Sequence, residues 1–422
     1  MKERTRKAFA LMLILTMIFT GCAKIETPKV PSESSATVPA EEAPAEAAEA
    51  VDAAPEEAEA AEEAPAEEKE PEEPGEKATL VTICGGSYAW TVRKLNLKDA
   101  NVNSPADLAG LEEVSEGVLV DLSGSTVSFE KADAFSEAYP NAEFAFLFSS
   151  TEIGLSGEEF TVRSNCKELN LSGITDLNMD VLRELLDRMI CLEQLVMCDC
   201  GIPDEEMGAL REEYPETKVV WRLYLQGGQY TLRTDAVAFS TLFGEEPNQG
   251  KLISESLEPL RYCTDLKALD LGHMLLTDIS FLRYVPELRV LILADTQITD
   301  ITPIGELQNL TYLEIFMNYY VESLEPLSHL PHLRDLNISY VLRARDYQYL
   351  YGLTELERLW ANCCKLSPQE REDLRNNIVP TCELHVAEDE SSTGGGWRDG
   401  SEKHLAQYNM FRGNYLDPIF EP

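Results

Sequence analysis

The residues able to do chemistry in this 422-residue chain are its histidines, acids and cysteines, and their spacing argues against catalysis. The five histidines (His273, His329, His332, His385 and His404) form no HExxH pair and hold no zinc-type spacing to cysteine. The Walker phosphate-loop pattern and the GxSxG nucleophile elbow are both absent. The triple glycine at 394–396 follows no strand pattern and opens no helix pattern, so it is not a phosphate loop. With 75 Asp and Glu residues a carboxylate pair somewhere is inevitable, and pairing alone says nothing about glycoside hydrolysis. We expect no enzymatic activity, no cofactor and no metal.

The elements that must position side chains are set by a repeat. Leu266-x-x-Leu269-x-Leu271 recurs at Leu288, Leu310, Leu333 and Leu356, at intervals of 22, 22, 23 and 23 residues. A fixed period of this size marks a leucine-rich repeat solenoid, in which units that cannot bury their apolar faces alone stack into one core. The expected fold is α/β: a curved parallel sheet, a helical or irregular convex side, and β-hairpin insertions in the N-terminal half.

Strand alternation then assigns a face. With the leucines pointing inward, the intervening residues line the concave side, and equivalent positions stack from unit to unit. This gathers Ile292, Tyr312, Phe316, Met317, Tyr340, Arg358 and Trp360 on one surface, a candidate recognition patch of aromatics among charges. Two readings stand. Either the patch is open to a ligand, or the C-terminal tail covers it, since the tail carries Trp397, Tyr408, Phe411, Tyr415 and Phe420, which need somewhere to pack.

Cys22 stands apart from the repeats. A basic start and an apolar run from Ala8 to Phe19, too short for a permanent span, lead into Phe19-Thr20-Gly21-Cys22. This resembles a bacterial lipobox, although Phe19 stands where leucine is usual. The resemblance implies that residues 1–21 are a signal peptide and that lipid on Cys22 attaches the chain to a membrane outside the cytoplasm. An ordinary secretory signal with an incidental Cys22 is the alternative. Nine cysteines then remain, and their connectivity cannot be read from sequence. Cys200 and Cys364 fall on the ninth repeat position, where a small group fills the inner turn. Cys166 falls on a first, inward position. Cys198 and Cys363 face out of the concave sheet, as thiols or bridges.

Residues 22–77 are Pro/Ala/Glu-rich; from Lys24 to Lys77 they hold 18 acidic and four basic side chains, the composition of a disordered, extended tether. The formal net charge of −40, spread over the globular part as well, excludes nucleic acid as a partner. It is read as an acidic solvated surface, with a site for a cation or basic partner as the sharper reading.

From residue 78 the chain becomes globular. Residues 78–250 read as irregular leucine-rich units, with double glycines at 85–86 and 227–228 as hairpin turns. Three segments opening at Ser128, Pro203 and Ser367 share acids in the first turn, an apolar residue seven places on and a closing proline, which predicts three helices. Residues 251–386 read as regular repeats, and 387–422 as an acidic, Gly-rich hinge and a capping tail.

The regular half resembles the internalin-type bacterial repeats, most clearly in Thr296-Gln297-Ile298-Thr299-Asp300-Ile301-Thr302-Pro303-Ile304 and Leu276-Thr277-Asp278-Ile279. The resemblance implies a curved solenoid used for recognition. The chain departs from that family at the ninth positions (Met274, Thr296, Asn318, Val341 and Cys364), where a continuous Asn ladder is missing. The expected function is non-covalent recognition of a protein by a lipid-anchored surface protein, with glycan or cell-wall binding through the same aromatic face as the alternative.

Overall fold

The structure is a computed structural model that describes residues 80–242, 250–398 and 401–411. The expected signal peptide, Cys22 and the tether lie outside the described residues, as do Tyr415 and Phe420. Among the described residues no helix is long and apolar enough to cross a membrane.

The chain is a solenoid of short strands. An antiparallel hairpin, β1 (Leu80–Ile83) and β2 (Gly86–Ala89), comes first and turns at Cys84-Gly85, both with positive φ. A four-stranded sheet follows: β3 (Lys94–Asn96), β4 (Val118–Thr126) and β5 (Ala142–Ser149) are parallel, and β6 (Thr161–Arg163) pairs antiparallel to β5. Next is a parallel three-stranded sheet of β7 (Glu168–Asn170), β8 (Gln194–Val196) and β9 (Lys218–Val220). A second hairpin, β10 (Arg222–Leu225) with β11 (Tyr230–Arg233), turns through the predicted double glycine.

The longest sheet has seven parallel strands: β12 (Ala238–Ser240), β13 (Ala268–Asp270), β14 (Val290–Ile292), β15 (Tyr312–Glu314), β16 (Asp335–Asn337), β17 (Arg358–Trp360) and β18 (Glu383–His385). Its first strand precedes residue 251. Register runs unit to unit without a slip: Leu269, Leu291, Leu313, Leu336 and Leu359 pair in line, all fully buried. These leucines belong to one apolar core that runs from Val81 to Val386.

Unit length decides what the convex side holds. Longer units return through α-helices, namely α1 (Phe129–Ala138), the short α2 (Ser150–Ile153), α3 (Met179–Leu186) and α4 (Asp204–Glu213). The 22- and 23-residue units have room only for single 3-10 stretches such as Ser280–Tyr284 and Thr302–Glu306. α5 (Pro368–Asn377) closes the last regular unit; Ser367 caps it in a reciprocal box with Glu370. The three predicted helices thus form as α1, α4 and α5, burying Phe135, Leu210 and Leu374, the apolar residues named by the repeat.

One expectation about the strands is corrected. Strand alternation continued to the eighth repeat position places Met317 and Tyr340 on the concave face. His273, Asp295, Met317, Tyr340 and Cys363 all have φ between 52° and 64°. The position is the left-handed residue that turns the chain out of the sheet, which sets its side chain at the rim; Met317 still packs against the concave cluster from there.

A concave groove filled by the C-terminal segment

All three residues of each strand from β12 to β17 are buried, so this sheet is covered on both faces. The inner face is the leucine core. The concave face carries a second cluster, separate from the first: Ala238, Ala268, Val290, Ile292, Ala294, Tyr312, Phe316 and Trp360, closed by Trp397 and Met410 of the C-terminal segment. That segment ends in α6 (Glu402–Phe411).

The open-patch expectation is therefore corrected. Ile292, Tyr312, Phe316, Arg358 and Trp360 are buried, and Met317 and Tyr340 are half-buried. The tail covers the patch because it brings apolar groups of its own. Trp397, fully buried, sits 5.4 Å from the Tyr312 ring and 5.1 Å from the Trp360 ring, with the Arg358 guanidinium 4.3 Å over its own ring. Trp360 also stacks on His385 at 3.8 Å.

Polar contacts fix the register of the segment. Approaching the groove, the tail's carbonyls accept from sheet side chains: Asn362 Nδ2 donates to Ser391 O (3.3 Å), Asn337 Nδ2 to Ser392 O (2.6 Å) and Trp360 Nε1 to Gly394 O (3.0 Å). At the centre lies Glu314, with no exposed surface. Its carboxylate accepts from the Tyr312 hydroxyl, from Trp397 Nε1 at 2.9 Å and from the Arg398 guanidinium. Beside it the Arg358 guanidinium pairs with Asp335, and Lys403 bridges Asp335 (3.2 Å) and Glu357. The sheet thus supplies three acids and the segment two cations.

Electrostatics follow from this dryness. Burial pushes the Tyr312 hydroxyl well above its usual range, and the neighbouring Glu314 charge pushes the same way. Burial likewise raises the carboxyl of Asp270, which accepts from Gly272 N–H (3.0 Å) and Ser240 Oγ (2.8 Å). The pairing with Glu314 outweighs burial for Arg398 and holds its guanidinium above the ordinary value.

Sequence reasoning missed Glu314, Arg398 and Lys403 as the partners that lock the groove. The signal available was a set of acids among apolar concave positions and a Trp-Arg pair in the tail, with nothing local to join them.

The cysteines divide as their positions require. Cys200 and Cys364 are buried at the inner turn, where their thiols donate to Leu171 O and Ile338 O, both at 3.2 Å. Burial pushes the Cys364 thiol up to about 12. Cys166 and Cys363 are half-buried; Cys198, expected to face outward, is buried between Val196 and Val220. All nine described cysteines are unpaired. Among the described residues no group of His, Cys, Asp or Glu is placed to hold a metal ion.

Residues 286–329 match the family model of leucine-rich repeats, in two copies. These units are leucine-rich repeats. Their fold is similar to that of two internalins of Listeria monocytogenes str. 4b F2365. Internalin F is 19% identical, with 44% of this chain and 54% of that one covered and a TM-score of 0.27. Internalin C2 is 22% identical, with 35% and 74% covered and a TM-score of 0.25. A leucine-rich-repeat protein of Leptospira interrogans is 17% identical, with 64% and 73% covered and a TM-score of 0.27. This chain spans about half the length of internalin F. No curated protein matches it.

Proposed function

We propose that this leucine-rich-repeat protein is a bacterial surface lipoprotein whose concave groove recognises a protein. Lipid on Cys22 holds it to the membrane, and the acidic Pro/Ala/Glu segment through residue 77 spaces the solenoid away from that surface. The observation that carries the recognition reading is the groove's fit to a polypeptide. A buried Trp and a largely buried Arg that both engage one buried carboxylate are the make-up of interface hot spots. Glycan binding through the same rings is less well supported, because the groove's acids pair with cations of the segment, which a neutral sugar would not replace.

Two measurements test this reading. Cys22→Ser should move the full chain from the membrane fraction to the soluble fraction and abolish incorporation of labelled fatty acid; unchanged partitioning would remove the anchor from the proposal. The full chain should then be screened against arrays of purified surface proteins and of glycans. Saturable protein binding that weakens with salt is expected, and binding to glycans alone would sink the recognition reading.

A further inference from the structure

We infer that residues 391–411 are a displaceable stand-in for the groove's partner, and that this partner is a protein segment presenting Trp-Arg followed by a lysine on a short helix. The inference rests on the concave-face reading above and specifies its ligand.

Three observations lead to it. First, the segment adds nothing to the main core: the leucine cluster ends at Val386, and Trp397, Ala406 and Met410 lie outside it. The solenoid keeps its own hydrophobic interior whether or not the segment is docked. Second, three glycines, two of them at positive φ, lie within the segment just before Trp397, and its helix is held on one side only: Ala406 and Met410 are buried and Phe411 packs against the cluster, while Leu405 is 56% exposed. Third, the groove dictates complementary charge. With the segment away, Glu314 would keep only the Tyr312 hydroxyl and water, and Asp335 and Glu357 would lose Lys403. A segment that buries Glu314 again without bringing a cation would leave a costly uncompensated charge. An incoming segment must therefore bring an arginine to Glu314, an indole to the Tyr312–Trp360 slot and an ammonium group to Asp335. An acidic or purely apolar segment meets none of these demands.

A resident segment tethered to its own site competes at an effective concentration in the millimolar range, which lowers the apparent affinity of any free ligand. Weakening the resident should therefore strengthen the visitor.

The test uses the full chain and, as probe, a fluorescent peptide with the sequence of residues 391–411. Anisotropy should show about tenfold or tighter binding to the Trp397→Ala chain than to the parent, because the competitor has been weakened. Peptides carrying R398E or K403E should lose about tenfold or more against the same chain. These variants need not fold, so their failure speaks only of recognition. Equal binding to parent and Trp397→Ala chains, or equal binding of altered and unaltered peptides, overturns the inference. Hydrogen exchange on the Trp397→Ala chain separates the two levels of reading. If residues 402–411 come free and the peptide still does not bind, the ligand chemistry is wrong while the concave face remains available to another partner. If they stay protected in Trp397→Ala and also in an R398E/K403E chain, the segment is a permanent cap and concave-face recognition falls with it.

Discussion

Replacing Trp397 by alanine removes the side chain on which the concave cluster closes. Its indole is fully buried between Tyr312 and Trp360 and donates to Glu314. Burying an indole removes about 200 Å² of surface, worth about 5 kcal/mol at ~25 cal/mol per Å². The hydrogen bond to a charged acceptor adds about 1.5–3 kcal/mol. Truncations of buried aromatics cost about 3–5 kcal/mol in practice, since the site partly relaxes. The loss also has a ceiling. Once the segment has left the groove, the substitution has nothing further to act on, so the solenoid cannot be weakened by more than the free energy of docking. We therefore expect local release and not global unfolding. Hydrogen exchange read by mass spectrometry should show residues 402–411 losing protection about 100-fold, the equivalent of ~3 kcal/mol. Amides of the leucine core at 310–315 should keep theirs. Unchanged protection of 402–411 would refute Trp397 as the anchor. Core amides that loosen in step with the tail would refute the separation of the two clusters.

The raised Asp270 carboxyl holds its proton more tightly in the folded chain, so its contribution to stability is full below about pH 4 and falls as pH rises through the raised value. Asp270→Asn should flatten the fall of the denaturation midpoint as pH rises above about 4 and at least match the parent at neutral pH; an unaltered profile would rule this out. Burial pushes the Cys263 and Cys364 thiols up to about 12, so iodoacetamide should modify the exposed Cys191 in the native protein and reach those two only in denaturant. Alkylation of Cys364 at the rate of Cys191 would place it outside the core. A Cβ at Gly124 would lie 1.8 Å from the carbonyl oxygen of Lys98, beside the irregular pairing of β4 with β5. Gly124→Ala should therefore lower stability by ~3 kcal/mol, and an unchanged melting temperature would contradict that close approach. Ser367→Ala removes the α5 cap and should cost ~1 kcal/mol; thermal denaturation within error of the parent would show that the capping box adds nothing.

Much of this fold is legible in the sequence because its signals are periodic and local. The leucines of Leu266-x-x-Leu269-x-Leu271 and their copies set the register, and Ser128, Pro203 and Ser367 with acids behind them open helices where expected. The double glycine at 227–228 turns the second hairpin as expected, whereas the first turns at Cys84-Gly85 with Gly86 already in its strand. Two features resisted for physical reasons. The turn residue at the eighth position is left-handed in every regular unit, yet Met317, Tyr340 and Cys363 carry no preference for that conformation, and of the five only His273 and Asp295 do. Strand alternation was therefore carried one residue too far. The groove contacts are non-local. Trp397 meets Glu314 across 83 residues, and Lys403 meets Asp335 across 68. The tail's aromatics announced that they needed a place to pack, but not that they would bring the cations the groove lacks.

The separation of the two clusters along the chain sets a schedule for biosynthesis. Synthesis runs from the N-terminus, so Tyr312, Phe316 and Trp360 are displayed before Met410 has been added. The 50 residues from Trp360 to Met410 take about 3–10 s to translate at ~5–20 residues per second. Throughout that interval the nascent solenoid can complete its leucine interior while its concave surface stays wet, sticky and short of counter-charges. Products of premature termination before Trp397 would be left in that state permanently, folded in the main yet prone to associate through the uncovered strip. Quality control has little in the leucine interior by which to recognise them, and the bare groove is the mark that sets them apart.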